Sequence, residues 1–172
     1  MIIDKHELND VRSHAGGATI ALRFGSYDLL HAGHRYGLNI AASQADIMVV
    51  GIMPDEYVSR EKGPDRPIHS QDVRVANVDA AEGVDYSFIT SRGALGVARS
   101  IAMLRPDVYI EDQEHPRSSL KSVFLKVMGV DYITHERDRS NSTSLMIARL
   151  GVEQAIRSGS LTFSLAEELI AS

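Results

Sequence analysis

The sequence predicts a doubly wound α/β fold, a single domain built on a five-stranded parallel sheet. Three observations carry this expectation. Five short apolar runs are continuous rather than alternating, as in strands buried on both faces. Amphipathic stretches of helical length separate them, the βαβ pattern that gives parallel pairing through right-handed crossovers. The 172 residues suit one domain with a full core and are too few for two of ordinary size.

The elements follow in order. A short polar helix over residues 5–14 ends at Gly16-Gly17, and ATIALRF (18–24) is the first buried strand. An amphipathic stretch over 34–45 leads into DIMVVGI (46–52), the second strand. The segment SREKGPDRPIHS (59–70), rich in Pro, Gly and charge, reads as a long loop, and loops of that length in compact domains are often functional. A helix over 70–81 precedes YSFI (86–89), another over 93–104 precedes DVYI (107–110), and a third over 118–128 precedes VDYIT (130–134). A last core helix starts near Ser142, and LTFSLAEELIAS (161–172) reads as a further amphipathic helix. The expected organisation is an N-terminal helical extension (1–17), a Rossmann-like domain (18–158) and a C-terminal helix (159–172) packed on it. There is no internal repeat and no low-complexity segment.

Composition narrows the function classes. A net charge of −5 repels nucleic acid and anionic membranes, so neither is expected as a partner and a polyanionic ligand has to be held by a local site. With 44% hydrophobic and 24% charged residues the chain is not disordered, collagen-like or a coiled coil. The lack of cysteine removes disulfides, thiolate metal sites and a Cys nucleophile, and fits a cytoplasmic protein. The start MIIDKHELND is too polar for a secretory signal, and the best apolar run, residues 47–53, falls far short of a membrane span. Open parallel-sheet proteins of this size often pair about a two-fold axis, so a homodimer is expected.

The first strand opens into FGSYDLLHAGHRYG (24–37), at the carboxyl end where such sheets bind ligands. His31 and His34, three apart around Gly33, fall on one side of a helix's opening turn beside its free backbone N–H groups. Two imidazole donors, the helix dipole and a close backbone approach at Gly33 suit a polyphosphate. The blander alternative is a helix cap beside an ordinary surface histidine. His6, His14, His69, His115 and His135 have no metal-ligand spacing and read as surface or loop residues.

Gly25, Asp28, His31, Gly33 and His34 reproduce the signature G-x-x-D-x-x-H-x-G-H directly after the first strand. The chain thereby resembles the cytidylyltransferase-like nucleotidyltransferases. Residues 62–68, KGPDRPI, with Arg74 are similar to the adenylyltransferase half of bacterial heptose-phosphate enzymes and to glycerol-phosphate cytidylyltransferases. Arg137, Ser142-Thr143-Ser144 and Ile147 resemble the family's late R-x-x-x-I-S-T-T-x-I-I motif, and the likeness extends over residues 18–150. It implies attack by the phosphate of a small acceptor, a sugar or polyol phosphate, on the α-phosphorus of CTP or ATP, with release of pyrophosphate. Positioning and charge neutralisation can supply the rate of such a step without a nucleophilic side chain.

The resemblance further implies catalytic roles for His31, His34, Lys62 and Arg137, with Arg139 the alternative to Arg137. It implies nucleotide binding by Phe24, Gly25, Ser26, Tyr27, Asp28, Gly33, Ser142, Thr143 and Ser144. Asp28 is expected to orient the backbone or a histidine, and Arg74 to bind the acceptor phosphate or form a surface ion pair with Asp72 or Asp79. Mg²⁺ is expected to arrive with the triphosphate and to need no cage of protein ligands. Two other readings stay open: a flavin- or pantetheine-type adenylyltransferase, and a catalytically lapsed nucleotide-binding regulatory protein. A doubly wound redox enzyme is disfavoured, because no G-x-G-x-x-G follows the first strand.

One segment departs from the family. Members read V-K-G-x-D-Y after the fourth strand, where this chain has Ile110-Glu111-Asp112-Gln113-Glu114-His115-Pro116. A carboxylate beside a triphosphate costs on the order of 1 kcal/mol or more at surface-like dielectric. At least one of Glu111 and Asp112 is therefore expected in the acceptor site, facing a compensating group on the ligand side, the alternative being a loop that swings Glu111 into solvent. That group would be Mg²⁺, ribose hydroxyls, a base amino group or a cationic acceptor. The acceptor would then differ from plain heptose or glycerol phosphate. Asn141 and Ser144 also depart from the late motif.

Overall fold

The computed structural model describes residues 1–91, 93–113, 119–136 and 143–157. Five strands, β1 (Ile20–Gly25), β2 (Ile47–Ile52), β3 (Tyr86–Ile89), β4 (Val108–Asp112) and β5 (Asp131–His135), form one sheet in the order β3-β2-β1-β4-β5. Every pairing is parallel, so the doubly wound α/β expectation holds. The strand order reverses between β1 and β4. The crevice beyond their carboxyl ends is the place where such sheets bind ligands.

A 3₁₀ turn (Lys5–Glu7) leads into α1 (Leu8–His14), followed by α2 (Ala32–Ala42), α3 (Asp55–Lys62), α4 (Gln71–Asp79), α5 (Gly93–Leu104), α6 (Ser119–Val127) and α7 (Thr143–Arg157). Alternate strand residues face opposite layers. Ile20, Leu22, Val49, Phe88 and Tyr109 pack with Leu8 and Val11 of α1, Ile101 and Leu104 of α5, and Leu125 of α6. Ala21, Met48, Val50, Ile52 and Ile110 pack with Leu38 and Ala41 of α2 and Val75 and Val78 of α4. Covering both faces is why the strand sequences are continuous apolar runs, each large buried side chain contributing about 1.5–3 kcal/mol.

Two boundaries differ from the sequence expectation. Residues 59–62 are helical, not loop, because α3 starts at Asp55 after Pro54 and ends at Gly63, whose φ of 100° suits glycine. Val58 is the one buried residue of this helix, so no apolar stripe marks it. Its acidic first turn (Asp55, Glu56) and basic last turn (Arg60, Lys62) match the helix dipole. Strand β4 runs through Asp112 instead of ending at 110, which places Glu111 and Asp112 within the ladder to β5. The N-terminal segment packs on the sheet. Ile3 N–H donates to Ser87 O and Ser87 N–H to Met1 O, and Ile3, Leu8 and Val11 belong to the core. The tail helix expected over 161–172 lies outside the described residues.

Candidate active site

The turn after β1 is held in a conformation that side chains seldom adopt. Tyr27 and Leu29 have φ values of 51° and 49°, left-handed backbone that costs energy without glycine and recurs where a site is shaped. Gly25 is required by space, since a Cβ there would lie 2.7 Å from the Tyr27 ring. The turn delivers His31 as the N-cap of α2, its Nδ1 accepting from His34 N–H at 3.3 Å. Acceptance at Nδ1 puts the proton of the neutral ring on Nε2. The His31 and His34 rings stack with centroids 3.8 Å apart, and Gly33 lies between them on the first turn. Both imidazoles thus lie where the helix presents its unpaired N–H groups.

Asp28 and Arg74 fasten this turn to its surroundings. Asp28 is 1% exposed. Its carboxylate accepts from Ile68 N–H (3.0 Å), His69 N–H (3.0 Å) and Arg66 Nε (2.9 Å). Burial alone pushes its carboxyl up, but the His69 and Ile68 N–H groups and the Arg66 guanidinium outweigh it and hold the group below the usual carboxylate range. Asp28 therefore orients backbone, clamping residues 66–69 against the signature turn. Arg74 is fully buried. Its guanidinium donates to the Ser26, Met53 and His69 carbonyls and to Asp55. With those groups already engaged and no exposed surface, Arg74 meets neither an acceptor phosphate nor Asp72 or Asp79. It is a strut joining the turn, the end of β2 and α3.

Thr143, the first residue of α7, is 4% exposed, and its hydroxyl donates to Asp28 O at 2.5 Å. The N-termini of α2 and α7 are thereby tied to one turn, with Ser144 exposed beside Thr143. Lys62 is exposed at the end of α3 instead of in a long loop. Phe24 and Tyr27 send their side chains into the core. Phe24 packs edge-on to Phe88 at 6.0 Å, and Tyr27 is 1% exposed with its ring 5.3 Å from that of His34. A nucleotide would meet these two through backbone. Arg137, Arg139 and Ser142 lie outside the described residues.

The carboxylates of β4 are compensated within the protein. Glu111 receives Lys121 Nζ at 2.6 and 2.9 Å and the Tyr132 hydroxyl at 2.7 Å. Asp112 receives Arg23 Nη2 at 2.6 Å, with His135 Nε2 3.3 Å away. The expectation that the ligand must supply their partner is corrected: Lys121, Tyr132 and Arg23 supply it. Arg23 and His135 were missed as members of this region. The available signal was Arg23 itself, a lone charge inside an apolar strand, because a buried charge needs a partner. His135, expected at the surface, has a side chain 9% exposed. Among the described residues, no group of three or more His, Cys, Asp or Glu side chains is arranged to hold a metal ion. Also among them, no helix is long and apolar enough to cross a membrane.

Residues 22–149 match the family model described as cytidylyltransferase-like. The bifunctional protein HldE of Gluconobacter oxydans is 35% identical over 127 residues, covering 70% of this chain and 26% of that protein. The bifunctional protein HldE of Campylobacter concisus is 30% identical over 146 residues, covering 84% of this chain and 29% of that protein. The chain thus spans between a quarter and a third of these relatives. A lipopolysaccharide core biosynthesis protein from Thermoplasma volcanium superposes with a TM-score of 0.63 at 21% identity, covering 71% of this chain and 99% of that one. Pantoate-beta-alanine ligase from Francisella tularensis gives a TM-score of 0.63 at 12% identity, covering 91% and 79%. Both share the fold.

Proposed function

The chain belongs to the cytidylyltransferase-like family, and from that premise we propose that it is a nucleotidyltransferase. It joins the nucleoside monophosphate of CTP or ATP to a phosphorylated small molecule and releases pyrophosphate. The observation that carries this reading is the stacked pair His31 and His34 at the N-terminus of α2, with the N-terminus of α7 tied to the same turn through Thr143. Two helix N-termini converging beside two imidazoles, at the strand-order reversal, suit a triphosphate.

In this reading an acceptor phosphate oxygen forms a bond to the α-phosphorus. The bond from that phosphorus to the bridging oxygen breaks, and its electron pair leaves with pyrophosphate. His34 and the N–H groups of α2 hold the oxygens on which charge grows, and His31 orients the turn from its cap position. Lys62 is a mobile cation for the triphosphate or acceptor, and Arg137 a guanidinium for phosphate oxygens. Mg²⁺ suits a site of imidazoles and N–H groups because the phosphates and water supply its oxygen ligands, and when bound it neutralises triphosphate charge.

The sequence resemblance to heptose-phosphate and glycerol-phosphate enzymes supports a sugar or polyol phosphate as acceptor. With Glu111 met by Lys121 and Tyr132, a cationic acceptor is not required. The cysteine-free composition supports a cytoplasmic setting, and assembly as a homodimer is the default for such sheets. Pyrophosphate release, screened over four nucleoside triphosphates and a panel of phosphorylated sugars and polyols, tests the proposal. Release that needs both a nucleotide and an acceptor is expected; release with neither CTP nor ATP overturns it.

A further inference from the structure

Beneath the signature histidines lies a largely buried polar cluster. Arg23 of β1, Asp112 of β4 and His135 of β5 meet on the sheet face covered by α2, with side chains 7%, 20% and 9% exposed. The guanidinium bridges the other two, Nη2 to Asp112 at 2.6 Å and Nη1 to His135 Nε2 at 2.5 Å. The pair Arg23 and Asp112 spans β1 and β4, the two strands between which the order reverses.

The tautomer of His135 follows from its partners. Its Nδ1 lies 2.8 Å from the Glu136 carbonyl oxygen, which only accepts, so Nδ1 carries the proton. Its Nε2 lies between a guanidinium nitrogen at 2.5 Å, which only donates, and Asp112 Oδ1 at 3.3 Å, which only accepts; a proton on Nε2 would be forced against the nearer guanidinium, so the shorter contact leaves Nε2 bare. The groups facing the ring are Arg23, Asp112, the Glu136 carbonyl and the Tyr36 ring of α2, edge-on at 6.2 Å.

From Arg23 the contacts continue upward to the site. The buried Tyr27 hydroxyl faces Arg23, whose charge opposes the upward push of burial on it. The Tyr27 ring lies 5.3 Å from His34, which stacks on His31 at 3.8 Å. One turn beyond His34, Gly37 leaves room for the cluster: a Cβ there would lie 2.8 Å from Arg23 Nη2 and 3.3 Å from His135 Cε1.

We propose that His135, as the neutral imidazole protonated at Nδ1, is a positioning residue that fixes Arg23 beneath Tyr27 and through it the placement of His34. The role of His34 in triphosphate binding rests on the proposed transfer reaction; the placement itself does not. The test is ¹⁵N NMR of histidine-labelled protein at pH 8, with titration of ATP and of CTP alongside. The unaltered protein is expected to show His135 as the Nδ1-protonated neutral tautomer. In His135→Phe, which keeps the ring against Tyr36 but loses the acceptor, the His34 signals move while those of exposed His6 and His14 do not. The affinity for whichever of the two nucleotides the unaltered protein binds falls at least fivefold, and His135→Gln, which keeps a donor and an acceptor, restores both readouts. A His135 ring protonated at Nε2, or unmoved His34 signals in His135→Phe, overturns the proposal. The tautomer is read without any substitution, so it decides the matter even if His135→Phe does not fold. If the unaltered protein binds no nucleotide, the transfer reading fails while the imidazole spectra still judge the positioning.

Discussion

His34 stacks on the helix-capping His31 at 3.8 Å, where charge growing on a transferring phosphate would be met. His34→Ala is therefore expected to lower turnover by 10² or more, about 2.7 kcal/mol, with a smaller change in nucleotide affinity; single-turnover and steady-state pyrophosphate release separate the two. Asp28 acts through structure. Removing one partner from its buried pair with Arg66 costs about 3 kcal/mol, so Asp28→Asn should lower unfolding stability by that amount at neutral pH. Because the folded-state carboxyl lies below its ordinary value, this contribution is present above about pH 4 and is lost as pH falls through the depressed value. Urea denaturation at pH 7 and pH 3 should show the gap between the two proteins narrowing in acid. These residues were legible in the sequence because their meaning is local: a glycine, an aspartate and two histidines at fixed spacing after a strand. Arg23 and His135 were not, since their contact closes over 112 positions and exists only after β1 and β5 join one sheet.

Helix α2 is seated by Gly37 against Arg23. Gly37→Ala gains helix propensity but brings a Cβ to 2.8 Å from a buried guanidinium, and overpacking of this kind costs about 1–3 kcal/mol. A net loss of thermal stability is expected, whereas a gain would show that the contact gives way easily. Helix α7 is seated by the Thr143 hydroxyl on Asp28 O. Thr143→Val should cost about 1–2 kcal/mol in stability and weaken nucleotide binding, and Thr143→Ser should retain both, as calorimetry and ligand titration would report. Amphipathic or capped helices such as α2 and α4 were readable in advance, Ser70 capping α4 through Val73 N–H. Helix α3 was hidden because it buries little beyond Val58. The end of β4 was hidden because Glu111 and Asp112 are charged, and their partners Lys121, Tyr132 and Arg23 lie on three other elements.

At the scale of the molecule, five apolar runs and their intervening helices already imply a doubly wound sheet. Strand order is what they leave open. Parallel pairing puts the signature turn and the β4 carboxylates at one end of the sheet, and the strand order makes β1 and β4 neighbours. Pairing inside the protein then changes what those carboxylates mean: Lys121, Tyr132 and Arg23 are already their partners. Nucleotidyl transfer at the α-phosphorus can be read from ³¹P NMR of the products. The protein would be incubated with Mg²⁺, CTP or ATP and phosphorylated sugars and polyols in turn. Pyrophosphate and a nucleoside diphosphate conjugate with two coupled phosphorus signals should appear in equal amounts, and neither should form with His34→Ala on the same timescale. Nucleotide that stays intact with every acceptor, or inorganic phosphate appearing with a nucleoside diphosphate and no conjugate, would contradict the account.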